Sequence, residues 1–228
     1  MIRKKREGVE WLEFELLQDV PGLIHGISLR QEGCIRQALQ IPRTHSGVQV
    51  HGNQIALVTD GAQAPQQCDG LITQKSDLGL VIYHADCQAA LFYDPIHRAL
   101  AAVHCGWRGN VQNIYAEAIG KMAHTFGSKP ENLLVGVSPS LGPDHSEFIN
   151  YKVELPEEFW QFQTRPLYFD LWAIARYQLE KCGILSHHLQ IAELCTYANS
   201  EDFFSYRRDK VTGPVGRHNL VAMLSALP

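Results

Sequence analysis

The sequence predicts an α+β fold, a mixed β-sheet flanked by helices, in a single domain spanning residues 1–228. Three observations support this class. Several short apolar runs are separated by Gly, Asp or Pro, which is typical of buried strands. Longer segments repeat apolar residues every three or four positions, as amphipathic helices do. A chain of 228 residues, 45% of them hydrophobic, is also long enough to bury one large core.

The first predicted strands lie near the N-terminus. Residues 11–17 alternate apolar with polar side chains, and Pro21 and Gly22 turn the chain into a second strand that ends near Ser28. Five further runs are apolar throughout and cover residues 55–58, 70–72, 80–83, 89–93 and 99–103. Because these five do not alternate, we predict central strands of a sheet that is covered on both faces.

Three helices are predicted. Residues 33–39 form a short one. The clearest helix begins near Asn110, an N-cap residue type, and keeps apolar side chains at helical spacing until Gly127 stops it. Another begins with Asp170 as its cap and ends at Gly183.

The charge distribution excludes several classes of partner. The formal net charge is −4, so there is no overall basic field for nucleic acid, and we predict that the basic residues 3–6 are a frayed, solvated end. Residues 7–10 that follow are not apolar enough for a secretory signal, and no later run is long enough to cross a bilayer. We therefore expect a cytoplasmic protein with neither a nucleic-acid nor a membrane partner.

Cysteine usage points to a reducing compartment. The six cysteines are dispersed along the chain, and no two of them form a Cys-x-x-Cys pair; they are Cys34, Cys68, Cys87, Cys105, Cys182 and Cys195. One special thiol fits this pattern better than a disulfide framework does.

Three potential metal ligands, His51, Cys87 and His104, lie at or just past the ends of apolar runs. Folding could bring them to one rim of the sheet. Two nitrogens and one sulfur make a zinc site with a vacant fourth position, where a water can be activated as a nucleophile. Taken singly, the cysteine is typical of a small buried residue and each histidine of a hydrogen-bonded one. Their joint placement is what favours a metal site.

A glycine-containing turn follows the third of these residues. Residues 106–109 connect the strand of His104 to the helix predicted from Asn110. A helix start offers free backbone N–H groups and the positive end of the helix dipole, which together favour an anion. Arg108 adds a charge that can bind a phosphate through two hydrogen bonds.

The motifs at these residues resemble those of the YfiH family, whose members have long been labelled multicopper polyphenol oxidases or laccase-domain proteins. The resemblance rests on Gln-Val-His-Gly at 49–52, Ala-Asp-Cys at 85–87 and Val-His-Cys-Gly-Trp-Arg-Gly at 103–109. Further matches lie at residues 25–30, 136–143, 195–197, 203–208 and 216–217. Several separated motifs in the right order make the signal specific and extend it over nearly the whole chain.

The resemblance implies a zinc-dependent purine nucleoside enzyme. Members of the family are described as cleaving adenosine, inosine or methylthioadenosine with phosphate, and as deaminating adenosine. It implies that His51, Cys87 and His104 are catalytic residues and the metal ligands. The older label implies copper, but a laccase needs several copper centres and this chain offers one organised group of ligands.

Roles for neighbouring residues follow as hypotheses. For deamination, a zinc-activated water would attack purine C6, and Asp86 would move the proton, support Cys87 or serve only as a structural carboxylate. For phosphorolysis, Arg30, Arg108 and the helix start at Asn110 would hold phosphate for attack at ribose C1′.

Alternatives remain open at this point. In a cysteine hydrolase, Cys87 would be the nucleophile and His104 the base; some members of the family are linked to editing peptidoglycan precursors, and the fold resembles that of a toxin deamidase. In a non-catalytic protein the site would only bind metal. Cys105, where the family usually has Ala, either replaces Cys87 as a ligand or points into the core. The expected partners are a small-molecule nucleoside and phosphate, and the oligomeric state is left open, a homodimer included.

Overall fold

The computed structural model describes residues 1–30 and 33–226 and contains fourteen strands and six α-helices within those ranges. The strands are β1 (Ile2–Arg6), β2 (Val9–Glu13), β3 (Leu23–Ser28), β4 (Thr44–His45), β5 (Ile55–Leu57), β6 (Gly70–Thr73), β7 (Gly79–His84), β8 (Gln88–Asp94), β9 (Ala99–Cys105), β10 (Leu134–Val137), β11 (Gln163–Arg165), β12 (Tyr168–Phe169), β13 (Leu189–Ile191) and β14 (His218–Leu224). The helices are α1 (Ile35–Ala38), α2 (Trp107–Val111), α3 (Ile114–Phe126), α4 (Tyr151–Glu154), α5 (Leu171–Lys181) and α6 (Tyr206–Asp209). Short 3-10 segments cover Glu15–Leu17, Pro130–Asn132, Glu157–Phe162 and Ser186–His188.

The strands divide over two six-stranded mixed sheets and one small hairpin. The first sheet has the order β1-β2-β3-β14-β7-β4, and only its β4–β7 pair is parallel. The second has the order β13-β10-β8-β9-β6-β5, with parallel pairs at its two edges. Strands β11 and β12 form the hairpin. The predicted class, mixed β-structure flanked by helices, is therefore confirmed.

The apolar side chains fill three layers. Alternate residues of the second sheet, such as Leu91 and Ala102, pack against the first sheet, while Phe92 and Val103 pack against α3 and α5. On the outer face of the first sheet, α1 covers Val81 and its neighbours. Since the central strands β8 and β9 are covered on both faces, their sequences are apolar without alternation. The five apolar runs are confirmed as strands β5 to β9. Four of them are central as predicted, but β5 is an edge strand of the second sheet.

The N-terminal prediction was partly wrong. Residues 3–6 are not a frayed end but belong to edge strand β1, which pairs with β2 along its whole length. Ion pairs hold its basic side chains, since Arg3 contacts Glu10 and Asp202, and Lys5 Nζ lies 3.0 Å from Glu10. Cationic side chains on an edge strand also discourage pairing with other chains. The alternating segment 11–17 is a strand only as far as Glu13, where a 3-10 turn follows.

The helix predicted from Asn110 is divided into two. Helix α2 begins at Trp107, so Asn110 lies inside it and donates a hydrogen bond to Gln178 of α5 (3.1 Å). Asn113 has left-handed φ of 51° and caps α3 by accepting from the Ala116 N–H, and Gly127 ends α3 as predicted. An asparagine tolerates this conformation better than most residues, which makes it the break point. The helix capped by Asp170 is confirmed as α5, and the short helix predicted over 33–39 as α1.

Membrane insertion is not indicated by the helices: within the described ranges, none is long and apolar enough to span a bilayer.

A buried histidine predicts how stability responds to acid. His25 Nε2 accepts the Phe14 N–H (2.9 Å), which requires an unprotonated ring nitrogen, and burial lowers the pKa of His25 from 6.5 to about 4. Between these values the unfolded chain binds a proton that the folded protein does not, so stability is fully present above pH 6.5 and is lost as the pH falls towards 4. His25→Gln keeps an acceptor and removes the titration. Urea unfolding from pH 7 to 4 should then lose about 3 kcal/mol less than in the wild type.

The matched control for this prediction is His187→Gln, because His187 is exposed. This variant should follow the wild-type stability profile. An unchanged acid slope in His25→Gln would contradict the assignment.

Candidate metal centre and its cavity

The three predicted ligands meet at one rim of the second sheet. His51 lies in the segment that crosses from β4 in the first sheet to β5 in the second, and Cys87 lies in the turn that crosses from β7 to β8. His104 is the penultimate residue of β9. One potential ligand atom from each residue lies within 4.8 Å of the other two, and the two imidazole rings are 4.8 Å apart between centroids, edge to face. Both crossing segments therefore bring a potential ligand to the same place, beside the end of β9.

The backbone at the site is unusual in two places. His51 has φ of 60° and Asp86, which precedes Cys87, has φ of 75°. Non-glycine residues rarely adopt this left-handed region, and such strain is found mainly where the surrounding structure fixes it.

Gly106 allows the three side chains to approach one another. A Cβ atom at this position would lie 3.0 Å from His51 Cδ2 and 3.1 Å from Cys87 Sγ. Both distances are shorter than ordinary van der Waals contact, so any side chain here would displace two of the ligands.

Gly106→Ala is therefore expected to weaken zinc binding about tenfold or more without unfolding the protein. Isothermal titration with zinc, competed by a chelator, measures this. Gly120→Ala is the matched control, because Gly120 lies within α3 with nothing within 4 Å of its Cβ position. The control should bind zinc normally and gain up to about 1 kcal/mol of stability from helix propensity. Wild-type affinity in Gly106→Ala would show that the ligands are not crowded as described.

Asp69 connects the two histidines. Its buried carboxylate accepts from His104 Nδ1 (2.8 Å) and from the backbone N–H groups of Val50, His51 and Gly52 (3.1, 3.0 and 2.8 Å). With Nδ1 engaged in this way, His104 Nε2 is the nitrogen left to bind a metal. Asp69 was not predicted from the sequence. The only signal was a carboxylate placed directly before the buried strand β6.

The charges of Cys87 and His104 are coupled. Burial raises the pKa of the Cys87 thiol, but hydrogen bonds from His104 and then His51 outweigh it and lower that pKa to about 7. Burial lowers the pKa of His104, but hydrogen bonds to Asp69 and Cys87 raise it to about 9. The pair is therefore suited to a thiolate beside an imidazolium when no metal is bound. Burial raises the pKa of Asp69, and its hydrogen bonds with His104, Gly52 and Val50 lower it by more.

The donor set fits zinc. Two imidazole nitrogens and a thiolate leave one position open in a tetrahedral zinc site, and the Asp69 contact is the support that metal-bound histidines usually have. Within residues 1–30 and 33–226, this is the only group of three or more His, Cys, Asp or Glu side chains that could hold a metal. A laccase with several copper centres would need more.

Cys105 is not part of this group. It packs with Ile114 and Tyr115 on the helix side of the second sheet, whereas His104 faces the opposite side, as neighbours along a strand do. Burial raises the pKa of the Cys105 thiol, which suits a core residue. Of the two alternatives left by the sequence, the structure favours the core position. All six cysteines are free thiols.

A cavity of about 900 Å³ opens beside the three ligands. Besides His51, Cys87 and His104 it is lined by aromatic and apolar side chains including Trp107, Phe148 and Tyr206. The charged residues of the lining are four cations, Arg108, Arg207, Lys210 and Arg217, and three acidic residues, Asp86, Glu147 and Glu154. Among the described residues, none of these four cations forms an ion pair with a carboxylate. Arg108 stacks on Trp107, 4.4 Å from its ring centroid. Of these four, only Arg108 was predicted from the sequence; Arg207 and Arg217 lie in motifs that carry the family resemblance, and Lys210 lies in none of them.

Arg30 lies outside the cavity lining. Its guanidinium pairs with Asp209 (3.4 Å) and stacks on Phe204, 5.0 Å from the ring centroid. It therefore braces α6, the short helix that bears Arg207, rather than facing the cavity.

Asp86 borders the cavity, but its carboxylate is fully engaged. It accepts from Thr196 Oγ1 (2.7 Å), Ser205 Oγ (3.0 Å) and the Arg207 N–H (2.7 Å). This pattern attaches the turn before Cys87 to the start of α6. It favours the structural role among the alternatives considered for Asp86.

The fold and the site together define a mixed α/β protein with a His–Cys–His group that opens to a cavity lined by four cations, three acidic residues and several aromatic side chains. The chain belongs to the family described as multi-copper polyphenol oxidoreductase laccase, whose model matches residues 30–225. A purine nucleoside phosphorylase of Bacteroides thetaiotaomicron is 31% identical over 201 residues, covering 79% of this chain and 73% of that protein. The purine nucleoside phosphorylase YfiH of Escherichia coli is 30% identical over 173 residues, covering 72% and 68%.

Solved structures show the same fold. YlmD from Geobacillus stearothermophilus superposes with a TM-score of 0.85 at 24% identity and covers 99% of both chains. A YfiH protein from Bacillus licheniformis gives a TM-score of 0.81 at 22% identity, over 92% of this chain and 96% of that one. These relatives confirm the resemblance to the YfiH family that the motifs indicated.

Proposed function

We propose that the protein is a zinc-dependent purine nucleoside phosphorylase that cleaves adenosine, inosine or methylthioadenosine and also deaminates adenosine. The observation that supports this most directly is the His–Cys–His group, which opens onto a cavity whose lining includes four cations. The names of the relatives support an enzyme of this kind. The names of these relatives mention neither deamination nor a metal, so both are part of the proposal.

His51, Cys87 and His104 would hold the zinc ion. When bound, zinc would supply Lewis-acid chemistry and lower the pKa of a water at the open position. The lowered pKa of Cys87 makes its thiolate available as a ligand near neutral pH. Asp69 orients the His104 ring, so the ring is already fixed in one orientation before a metal binds.

The cations of the cavity would bind phosphate. Arg108, Arg207, Lys210 and Arg217 supply positive charge in a protein whose net charge is −4. Guanidinium groups bind phosphate oxygens through paired hydrogen bonds, and holding phosphate against ribose C1′ would favour in-line displacement of the purine. A phosphate oxygen then forms the new bond to C1′ while the bond to purine N9 breaks. Trp107, Phe148 and Tyr206 offer the aromatic surface that a purine ring stacks on.

Arg30 and Asp86 have supporting roles in this proposal. Arg30 braces Asp209 at the end of α6, and Asp86 accepts the Arg207 N–H at its start. Together they would place Arg207 beside Cys87. Because three donors already occupy the Asp86 carboxylate, a positioning role is better supported than proton transfer.

A substrate panel tests the proposal. Zinc content is measured on the same preparation that is incubated with adenosine, inosine or methylthioadenosine, with and without phosphate, and products are separated by chromatography. Free purine base that appears only with phosphate supports phosphorolysis, and inosine formed from adenosine without phosphate supports deamination. Zinc-loaded protein that yields neither product from any purine nucleoside would refute the proposal.

A cysteine hydrolase is the second candidate, because Cys87 and His104 also form a nucleophile and base pair. Thiol alkylation separates the two. In chelator-treated protein, iodoacetamide should modify Cys87 at a rate that rises with pH around a midpoint near 7, since the thiolate is the reactive form. Zinc should block this reaction. The exposed Cys34 should react in both states and serves as the internal control.

Mass spectrometry of the labelled peptides measures both thiols together. Rapid labelling of Cys87 in protein with one bound zinc per chain would favour the hydrolase over the proposed function.

A further inference from the structure

We propose that Asp69 is the positioning residue that assembles both histidine ligands of the metal centre. The inference rests on the proposed metal role of His51 and His104. It extends that proposal to a residue that does not itself line the cavity but contacts two residues that do, His51 and His104.

Asp69 reaches the two ligands in different ways. One carboxylate oxygen, Oδ1, accepts from both His104 Nδ1 (2.8 Å) and the His51 backbone N–H (3.0 Å). The other oxygen accepts from the N–H groups of Val50 and Gly52. A single side chain therefore fixes the ring of one ligand and the backbone of the other.

The segment of His51 depends on this support. Three successive N–H groups point at one carboxylate, and the middle residue has the left-handed φ of 60°. A non-glycine residue stays in that conformation only where its surroundings fix it. In addition, the Asp69 backbone oxygen accepts the His104 N–H (2.6 Å), which ties the start of β6 to the strand that bears the second ligand.

Asp69 can satisfy all its donors because both of its carboxylate oxygens are acceptors. Four donors converge on a side chain that is fully buried. An asparagine of the same shape has one oxygen and one NH₂ group, so in either orientation its NH₂ would face a donor. It would either lose the contacts with His104 and the His51 N–H, or leave the N–H groups of Val50 and Gly52 without an acceptor. In the first case the imidazole loses the partner that keeps Nε2 free for the metal.

Another pair in the protein provides a matched control. Asp94 is also fully buried and accepts from His97 Nδ1 (2.8 Å) and from the N–H groups of Ile96 and His97, but it lies at the far end of β8 from Cys87. A substitution there removes the same kind of interaction from the fold without touching the metal ligands.

The test compares Asp69→Asn with Asp94→Asn in zinc binding, measured with zinc alone against a competing chelator. Asp69→Asn should raise the zinc dissociation constant about 10- to 100-fold, while Asp94→Asn should stay within a few-fold of the wild type. Cobalt substitution gives a second readout, because the visible bands of a Cys-ligated cobalt ion change when a histidine ligand moves. Equal zinc affinity in Asp69→Asn and wild type, or equal losses in both variants, would overturn the proposal.

A measurement on the wild type covers the case in which Asp69→Asn does not fold. Nitrogen-15 NMR of the zinc-loaded protein should show the His104 proton on Nδ1, and a proton on Nε2 would overturn the proposal. Failure of the wild type to bind zinc would overturn both this inference and the proposed function. Zinc-loaded wild type without nucleoside turnover would refute the proposed function alone, because Asp69→Asn and Asp94→Asn are compared by their zinc affinity and not by activity.

Discussion

Replacing His104 with Ala is expected to abolish stoichiometric zinc binding and to lower phosphorolysis about a thousandfold, equivalent to about 4 kcal/mol of transition-state stabilisation. The imidazole is buried and is fixed by Asp69. One of its nitrogens lies within 4.8 Å of the potential ligand atoms of His51 and Cys87. A water molecule in its place would leave Cys87 and His51 as two ligands, too few for a stable zinc site.

This prediction is measured by metal analysis and by the initial rate of purine release from inosine. Circular dichroism should show a folded protein, although Asp69 loses a partner and stability falls. His97→Ala is the matched control, because His97 also pairs with a buried aspartate (2.8 Å) away from the site. It should keep both zinc and activity. Full nucleoside cleavage by a metal-free His104→Ala protein would rule out the zinc mechanism.

Removing the charge of Arg108 is expected to impair phosphorolysis selectively. Arg108→Gln should lower kcat/KM for phosphate about 10- to 100-fold, because one hydrogen bond between charged groups contributes about 1.5–3 kcal/mol. Its guanidinium lines the cavity and makes no ion pair among the described residues, so little of the loss should come from folding. Deamination of adenosine needs no phosphate and should stay near the wild-type rate.

The ratio of the two activities is therefore the decisive measurement for Arg108. Arg176→Gln is its control, since Arg176 forms an exposed pair with Glu193 (3.5 Å) outside the cavity lining. That variant should change neither activity. Equal losses of phosphorolysis and deamination in Arg108→Gln would place the arginine on the nucleoside rather than on the phosphate.

The strands were the part of the fold most open to prediction from sequence. Runs such as 89–93 and 99–103 are buried on both faces, so every residue in them had to be apolar and the pattern was unambiguous. The division into two sheets was not visible, because pairing partners such as β3 and β14 lie almost 200 residues apart. The break between α2 and α3 was also missed. Asn110 and Asn113 are both plausible caps, and only the backbone conformation distinguishes them.

The candidate site shows the same division. His51, Cys87 and His104 could be selected because their residue types point to metal chemistry and they stand near strand ends. Asp69 has an ordinary sequence context, and its role depends on three N–H groups that approach it only in the folded chain. Arg30 was predicted to hold phosphate and Arg207 was given no role, because which of them faces the cavity depends on how α6 packs.

The crossing segments at the site have a mechanical consequence. His51 and Cys87 each lie where the chain passes from one sheet to the other, and His104 is anchored in the second sheet. A metal held by all three residues would link the two sheets at the edge where the crossing segments lie. Metal binding would then raise the free energy of unfolding. By mass action, this increase grows with the logarithm of the free metal concentration. Losing the metal would then lower the stability of the two-sheet fold as well as remove the activity proposed for the site.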